Sequence, residues 1–231
     1  MDRMTTDIKL FLRENGAALI GTAALPDPEI NPYSDLPLAV VFGIPLNSRV
    51  IPNILYGPDK AYVAEYTRTN TRLAEIGTAL KKYLRDRGFK AIEIGPTSTD
   101  FDKETLAVEF PHKTAATRAG LGWVGKCDLL ITKEFGSAVR FNTVFTNAPL
   151  RPDTPTERSS CGKCTECVDA CPVSAPSGKE WEPSLQREDL LDIRACYDEC
   201  KRIDEEEQER NLCGICIAVC PWTQKYAKKN C

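Results

Sequence analysis

This sequence has no long apolar run, a single histidine and no excess of positive charge. No segment approaches the roughly 18 consecutive apolar residues that a membrane-spanning helix needs, and charged residues interrupt the N-terminal stretch, unlike the apolar part of a signal peptide. Lys and Arg number 30 against 33 Asp and Glu, so the composition carries neither a basic footprint for nucleic acid nor a polybasic membrane anchor. These absences predict a cytoplasmic protein that binds neither a membrane nor nucleic acid.

Cysteine, in contrast, is abundant, with 11 in 231 residues. Only Cys127 lies before residue 160, and the others follow a proline-rich polar segment over residues 147–160. In a reducing compartment such thiols are metal ligands or redox groups more often than disulfides. We therefore predict two domains, an α/β domain over residues 1–150 and a cysteine-rich domain over residues 151–231.

Hydrophobic periodicity in the first part alternates between helix and strand. The predicted helices cover residues 4–15, 59–87 and 112–120, and the predicted strands cover residues 17–23, 36–46 and 89–94. Residues 128–133 and 138–146 are predicted to pair as a hairpin that turns at residues 134–137.

The cysteines form two related runs, Cys161-x2-Cys164-x2-Cys167-x3-Cys171-Pro and Cys213-x2-Cys216-x3-Cys220-Pro. In such a run three cysteines hold one [4Fe–4S] cluster and the last cysteine ligates the other cluster. The crossed pattern assigns cluster 1 to Cys161, Cys164, Cys167 and Cys220. It assigns cluster 2 to Cys171, Cys213 and Cys216, with Cys196 or Cys200 as the eighth ligand. Structural zinc sites also use paired C-x2-C elements, but zinc gives no reason for this run to appear almost twice.

The stretch "AGLGWVGKCDLLIT", residues 119–132, followed by the first cysteine run, resembles epoxyqueuosine reductases and, more distantly, the corrinoid iron–sulfur reductive dehalogenases. The closing "CGICIAVCPWTQ" resembles the end of that family's double-cluster domain. The resemblance implies an α/β (α+β) nitroreductase-like cofactor domain followed by a ferredoxin-like double [4Fe–4S] module. It also implies that the first domain holds cobalamin, with flavin as the weaker candidate, and that Cys196 completes cluster 2.

The sequence departs from the family in three places. No aspartate occurs between Asp102 and Asp128, where the family has its proposed proton donor, and Cys127 replaces the asparagine that usually follows Gly-Lys. The helical repeats with which the family grips tRNA do not occur before the last residue, Cys231. We therefore expect a related protein that does not reduce epoxyqueuosine on tRNA.

Two residues are candidates for the missing proton donor. His112 is either an acid near a cofactor, a lower axial ligand to cobalt, or a hydrogen-bonded structural histidine. Glu109, three residues earlier, is either a proton donor on the same helix face or a carboxylate that caps the helix.

The candidate cofactor-binding residues form a glycine-rich turn: Gly120, Gly122, Trp123, Gly125 and Lys126. Such a turn lets a cofactor approach the backbone closely, and Lys126 is placed to meet a phosphate or a corrinoid amide. The alternative is a tight packing turn beneath the Trp123 ring.

These features together predict an iron–sulfur oxidoreductase that passes low-potential electrons through two clusters to cobalamin or to a substrate in the first domain. The alternative is a non-enzymatic electron carrier or activation protein that docks on a separate corrinoid or flavin enzyme. Both require a redox partner protein.

Overall fold

The computed structural model describes residues 3–97, 101–207 and 211–229, and the chain forms two compact units built from interleaved segments. The unit that we call the sheet unit comprises Met1–Pro45, Thr69–Leu121 and Arg140–Thr156. The unit that we call the cysteine unit comprises Leu46–Arg68, Gly122–Val139 and Glu157–Cys231. This division differs from the single boundary at residue 150 that the sequence predicts, because residues 46–68 and 122–139 pack with the cysteine-rich segment.

The sheet unit contains a four-stranded sheet with three helices. Its helices are α1 (Arg3–Glu14), most of α2 (Lys60–Arg85) and α3 (His112–Arg118). Its strands are β1 (Leu19–Ala24), β2 (Leu38–Pro45), β3 (Ala91–Glu93) and β6 (Val139–Thr146), in the spatial order β1-β2-β6-β3. β1 is antiparallel to β2, and β3 is antiparallel to β6. These bounds confirm the predicted helices and the first three predicted strands to within a few residues.

Burial explains why these segments fold as the periodicity predicts. Residues 39–42 of β2 have no exposed surface, as expected of a continuous apolar strand that is covered on both faces. Apolar residues of α2 at intervals of three and four positions, including Leu73 and Leu80, enter one core with Leu12 of α1 and Val144 of β6. Gly88, with φ of +84°, follows the last turn of α2 and donates its N–H to the Arg85 carbonyl.

The predicted hairpin between residues 128–133 and 138–146 is wrong. β5 (Leu130–Ile131) pairs instead with β4 (Trp123–Val124), while β6 is a strand of the four-stranded sheet. The predicted turn exists only as a bridge between Thr132 and Gly136. A strand with β-forming residues can pair with any compatible edge, and periodicity does not identify the partner.

The cysteine unit is built from short helices and the β4–β5 hairpin. Its helices are the kinked 3₁₀ helix Ser48–Tyr56, α4 (Glu166–Asp169), α5 (Arg187–Leu190), α6 (Ile193–Glu207), α7 (Ile215–Val219) and α8 (Pro221–Lys229). Its apolar residues form two cores, one around Ile54, Tyr62 and Ala218 and one around Trp123 and Ile131. In the part of the chain that the structure describes, no helix has the length and apolar character needed to cross a bilayer.

The core of the sheet unit yields a direct test. Leu80→Ala should lower the free energy of unfolding by about 2–5 kcal/mol, because the side chain has 0 % exposure and its loss leaves a cavity. Urea unfolding of the anaerobically prepared protein, followed by circular dichroism, measures the change. Leu10→Ala is the matched control, because Leu10 is 51 % exposed and should change stability by no more than about 0.5 kcal/mol. Equal losses for the two variants would contradict this core assignment.

Candidate metal centre

Cysteine side chains line two cavities in the cysteine unit. The first cavity, of about 100 Å³, is lined by Cys161, Cys164, Cys167 and Cys220 together with Lys126, Cys127 and Trp222 among others. The second cavity, of about 60 Å³, is lined by Cys171, Cys196, Cys200, Cys213 and Cys216 together with Cys127 and Glu199 among others. Both are several times larger than the space that one water molecule needs. Each cavity therefore receives cysteines from both runs, and Cys231 lies outside the described residues.

The local structure explains how these side chains converge. The Cys161–Cys167 segment is a loop that ends in the short α4, and Cys171 follows this helix immediately before Pro172. Cys220 ends α7 in an extended conformation, and Pro221 begins α8. Proline at the first helical position lacks only an N–H that would be unpaired there, so α8 can start directly after the cysteine.

The donor set fits an iron–sulfur cluster better than a single ion. Within residues 3–97, 101–207 and 211–229, no three His, Cys, Asp or Glu side chains are placed to bind one metal ion. Tetrahedral zinc requires four sulfurs at about 2.3 Å from one centre, whereas each cysteine of a cubane binds a different iron. Two cavities lined by cysteine thiols are suited to [4Fe–4S] clusters.

Cys196 and Cys200 both belong to α6 and both line the second cavity. They are four residues apart, so they lie on the same face of the helix. A hydrogen bond from the Cys200 thiol lowers the pKa of Cys196 to about 7 and raises the pKa of Cys200. The two candidates for the eighth ligand are thus in direct contact.

Two of the predicted cofactor-binding residues, Gly125 and Lys126, line the first cavity, and Trp123 contacts one of its cysteines. The indole N–H of Trp123 donates to Cys161 Sγ at 3.3 Å. The Nζ of Lys126, a residue with 6 % exposure, donates to the Gly162 carbonyl at 2.8 Å. Trp123 and Lys126 therefore both contact the loop that carries the first cysteine run.

The glycines of the same turn are close to protein atoms. A Cβ on Gly122 would lie 2.0 Å from the Ile131 carbonyl oxygen, and a Cβ on Gly120 would lie 2.3 Å from the Thr154 carbonyl oxygen. A Cβ on Gly125 would lie 2.8 Å from the Ile131 side chain. These contacts favour the packing alternative and do not form an open cradle for a corrinoid.

Cys127 and Glu199 are site residues that the sequence reasoning missed. Cys127 is buried, contacts the thiols of Cys167 and Cys216, and lines both cavities. Glu199 lines the second cavity from α6. The sequence places Glu199 directly before Cys200, which was the one indication that Glu199 belongs to the site. Nothing in the spacing of Cys127 indicated that it lies between the two runs.

In the sheet unit, His112 begins α3 and both of its ring nitrogens have protein partners. Nε2 lies 2.8 Å from the Gly95 carbonyl, which can only accept, so Nε2 carries the proton. Nδ1 then accepts from the Thr143 hydroxyl at 2.8 Å. Desolvation of the ring lowers its pKa to about 4, against a smaller opposing effect of the Gly95 bond. This arrangement favours the structural interpretation of His112.

Glu109 lies before α3, because this helix begins at His112 with Pro111 at its N-cap. The expectation that Glu109 shares a helix face with His112, or caps the helix, is therefore wrong. Glu109 is exposed and accepts a hydrogen bond of 2.7 Å from the Tyr33 hydroxyl. Desolvation, together with this hydrogen bond, raises the pKa of Tyr33 to about 12. A proton-donor role for Glu109 stays a prediction.

Comparison with known proteins supports a domain that binds two iron–sulfur clusters. Residues 160–223 match the family of 4Fe-4S double cluster binding domains. Over 163 residues the chain is 32 % identical to an epoxyqueuosine reductase of Atelocyanobacterium thalassa, covering 64 % of this chain and 46 % of the relative. Over 166 residues it is 31 % identical to a tetrachloroethene reductive dehalogenase of Desulfitobacterium hafniense, covering 68 % of this chain and 28 % of the relative. The chain thus spans less than half the length of each of these relatives.

Solved structures share the fold at lower identity. One is a reductive dehalogenase whose structure suggests a mechanism for B12-dependent dehalogenation, with a TM-score of 0.73 and 21 % identity over 96 % of this chain and 32 % of that chain. Another is an epoxyqueuosine reductase bound to a tRNA stem loop, with a TM-score of 0.66 and 20 % identity over 96 % of this chain and 66 % of that chain. The resemblance drawn from the sequence is confirmed, and so are the mixed α/β fold and the double-cluster domain.

The geometry of His112 predicts its titration. It is the single histidine of the chain, so its imidazole resonances in an NMR titration need no further assignment. In the folded protein the ring should remain neutral from about pH 8 down to about pH 5, with a pKa near 4, and it should titrate near 6.5 in the unfolded chain.

The corresponding stability change has a definite sign. Because the folded-state pKa is depressed, His112 contributes stability fully above pH 6.5 and loses it as the pH falls toward 4, by up to roughly 3 kcal/mol. His112→Gln should lack this loss when the two proteins are unfolded in urea at each pH. A native midpoint near 6.5 would overturn the assignment.

Proposed function

We propose that this protein is an iron–sulfur oxidoreductase that passes single electrons through two [4Fe–4S] clusters. The observation that carries the proposal is the sorting of the cysteines into two cavities in the crossed pattern. Cluster 1, in the first cavity, is held by Cys161, Cys164, Cys167 and Cys220. Cluster 2, in the second cavity, is held by Cys171, Cys196, Cys213 and Cys216.

Crossed ligation makes the two clusters depend on each other. Cys220 comes from the second run and lines the first cavity, while Cys171 comes from the first run and lines the second. Neither site is complete until both runs have come together. Because metal binding then supplies part of the folding free energy, cluster assembly and folding of the cysteine unit are coupled.

For the eighth ligand we propose Cys196. Both Cys196 and Cys200 line the second cavity, and Cys196 is the ligand that the family resemblance implies. Cys200, one helical turn further along α6, then serves as a thiol donor to the ligand sulfur.

The acceptor that we propose is cobalamin, which when bound supplies a cobalt centre able to take up low-potential electrons. The support is the fold shared with a B12-dependent dehalogenase and the sequence similarity to a tetrachloroethene reductive dehalogenase. The glycine-rich turn does not fit this cofactor, since protein atoms fill the space beside Gly122 and Gly125. We therefore assign the turn to the iron–sulfur clusters and derive no corrinoid contact from it. An electron carrier that serves a separate corrinoid or flavin enzyme is the alternative outcome.

The ligand assignment is tested by metal content after anaerobic reconstitution. The unmodified chain should hold about eight irons, and Cys196→Ser should lose about four of them because one cluster lacks a ligand. Cys200→Ser is the matched control on the same helix face, and it should keep about eight. Loss of iron in Cys200→Ser with retention in Cys196→Ser would reverse the assignment.

The acceptor is tested by titrating the reconstituted protein with cobalamin and following the visible spectrum. A saturable conversion to the base-off spectrum, together with cobalt reduction when the clusters are reduced, is the expected result. Two intact clusters that reduce and reoxidise without any cobalamin spectral change would contradict the proposed acceptor and leave an electron carrier.

A further inference from the structure

The two cavities differ in the charge of the side chains that line them. Lys126 is the one charged residue among the lining residues of the first cavity that the structure describes. Glu199 is the one charged residue among the described residues that line the second cavity. A [4Fe–4S] cluster becomes more negative by one charge when it is reduced, so the sign of a nearby buried charge alters its reduction potential.

Lys126 is held where this effect is large. It has 6 % exposure, so solvent screens its charge little, and its Nζ is fixed by the 2.8 Å bond to Gly162. Gly162 lies between Cys161 and Cys164, two ligands of cluster 1. The positive charge therefore stabilises the reduced state of this cluster.

Trp123 acts in the same direction. Its N–H donates to Cys161 Sγ at 3.3 Å, and the ring is fixed by an edge-on contact with Trp222, with centroids 5.2 Å apart. Electron density on the ligand sulfurs increases on reduction, so an N–H donor strengthens its bond in the reduced state. A hydrogen bond to a ligand sulfur therefore raises the potential.

The second cavity has the opposite electrostatic character. The Glu199 side chain is 10 % exposed, and its carboxylate opposes the addition of negative charge to cluster 2. Arg202, which is 56 % exposed, pairs with Glu199 at 2.8 Å and offsets part of this charge. Asp128 and Asp192 add negative potential at Cys196. Cys127 contacts one ligand of each cluster and so does not distinguish between them.

We infer that cluster 1 has the higher reduction potential and that the first electron taken up by the protein resides there, held by Lys126 and Trp123. The inference rests on the ligand assignment of the proposed function. An electron supplied to cluster 2 by a low-potential one-electron donor then passes to oxidised cluster 1, which leaves cluster 2 oxidised and cluster 1 reduced. The pair of clusters thus has a preferred direction of transfer.

The test is an anaerobic redox titration of the full reconstituted chain with dithionite, followed by EPR. Lys126→Gln keeps an N–H for the Gly162 carbonyl but removes the charge. It should lower the higher of the two midpoint potentials, with about a tenfold loss of reduced cluster at a fixed potential, which is about 59 mV for one electron. The lower potential should stay unchanged.

Lys163→Gln is the matched control. Lys163 is exposed in the same cysteine loop, and this substitution removes the same charge as Lys126→Gln does. It should leave both potentials in place. Glu199→Gln should raise the lower potential, and Trp123→Phe should lower the higher one. Trp123→Phe also provides the second test of cluster 1 if Lys126→Gln does not assemble its clusters.

The outcomes separate the two proposals. Suppose that Lys126→Gln holds about eight irons but shifts only the lower midpoint potential, or shifts neither potential. The inference about cluster 1 is then wrong, while the proposed two-cluster function stands. A wild-type chain that assembles no [4Fe–4S] clusters under anaerobic reconstitution overturns the proposed function itself.

Discussion

Cys220 lies in the same cavity as Cys161, Cys164 and Cys167, although α6, α7 and the chain between them separate it from these residues in sequence. Cys171 makes the reverse crossing into the second cavity. Apart from α6, the helices of the cysteine unit have nine residues or fewer, so they depend on tertiary packing for their stability. Pro221 permits α8 to begin directly after Cys220, and the 3₁₀ helix packs on α7 and α8 from residues distant in sequence.

The β4–β5 hairpin connects packing to electrostatics. Gly122 lets its backbone approach Ile131 more closely than any residue with a Cβ would allow. That approach buries Trp123 and directs its N–H toward Cys161, while Lys126 reaches the loop after the same cysteine. A buried lysine is costly unless an anionic neighbour or a hydrogen bond compensates it. The Gly162 carbonyl provides the hydrogen bond, and the proposed cluster 1 would provide the negative charge, which is a physical reason for a lysine at this position.

His112 illustrates how a chemically suggestive residue can be structural. As the single histidine, in a helix that follows a strand, it was a reasonable candidate for acid–base chemistry. The tertiary structure surrounds it with the Gly95 carbonyl and the Thr143 hydroxyl and keeps it neutral. Thr143 and Gly95 belong to segments far from His112 in the chain, so no local pattern could indicate that both ring nitrogens have partners.

The sequence by itself determined α1, α2, α3, the first three strands and the two cysteine runs, and it predicted the crossed assignment of ligands, because each depends on spacing within a segment or on the chemistry of one residue type. Only the tertiary structure decided that residues 122–139 belong with the cysteines, that β5 pairs with β4, and that the glycine-rich turn packs against protein. It also decided that Cys127 lies at both cavities and that Lys126 and Glu199 line different ones. The physical reason is the same for each: strand pairing, close backbone approach and the position of a buried charge depend on contacts between distant segments, which the local order of residues does not specify.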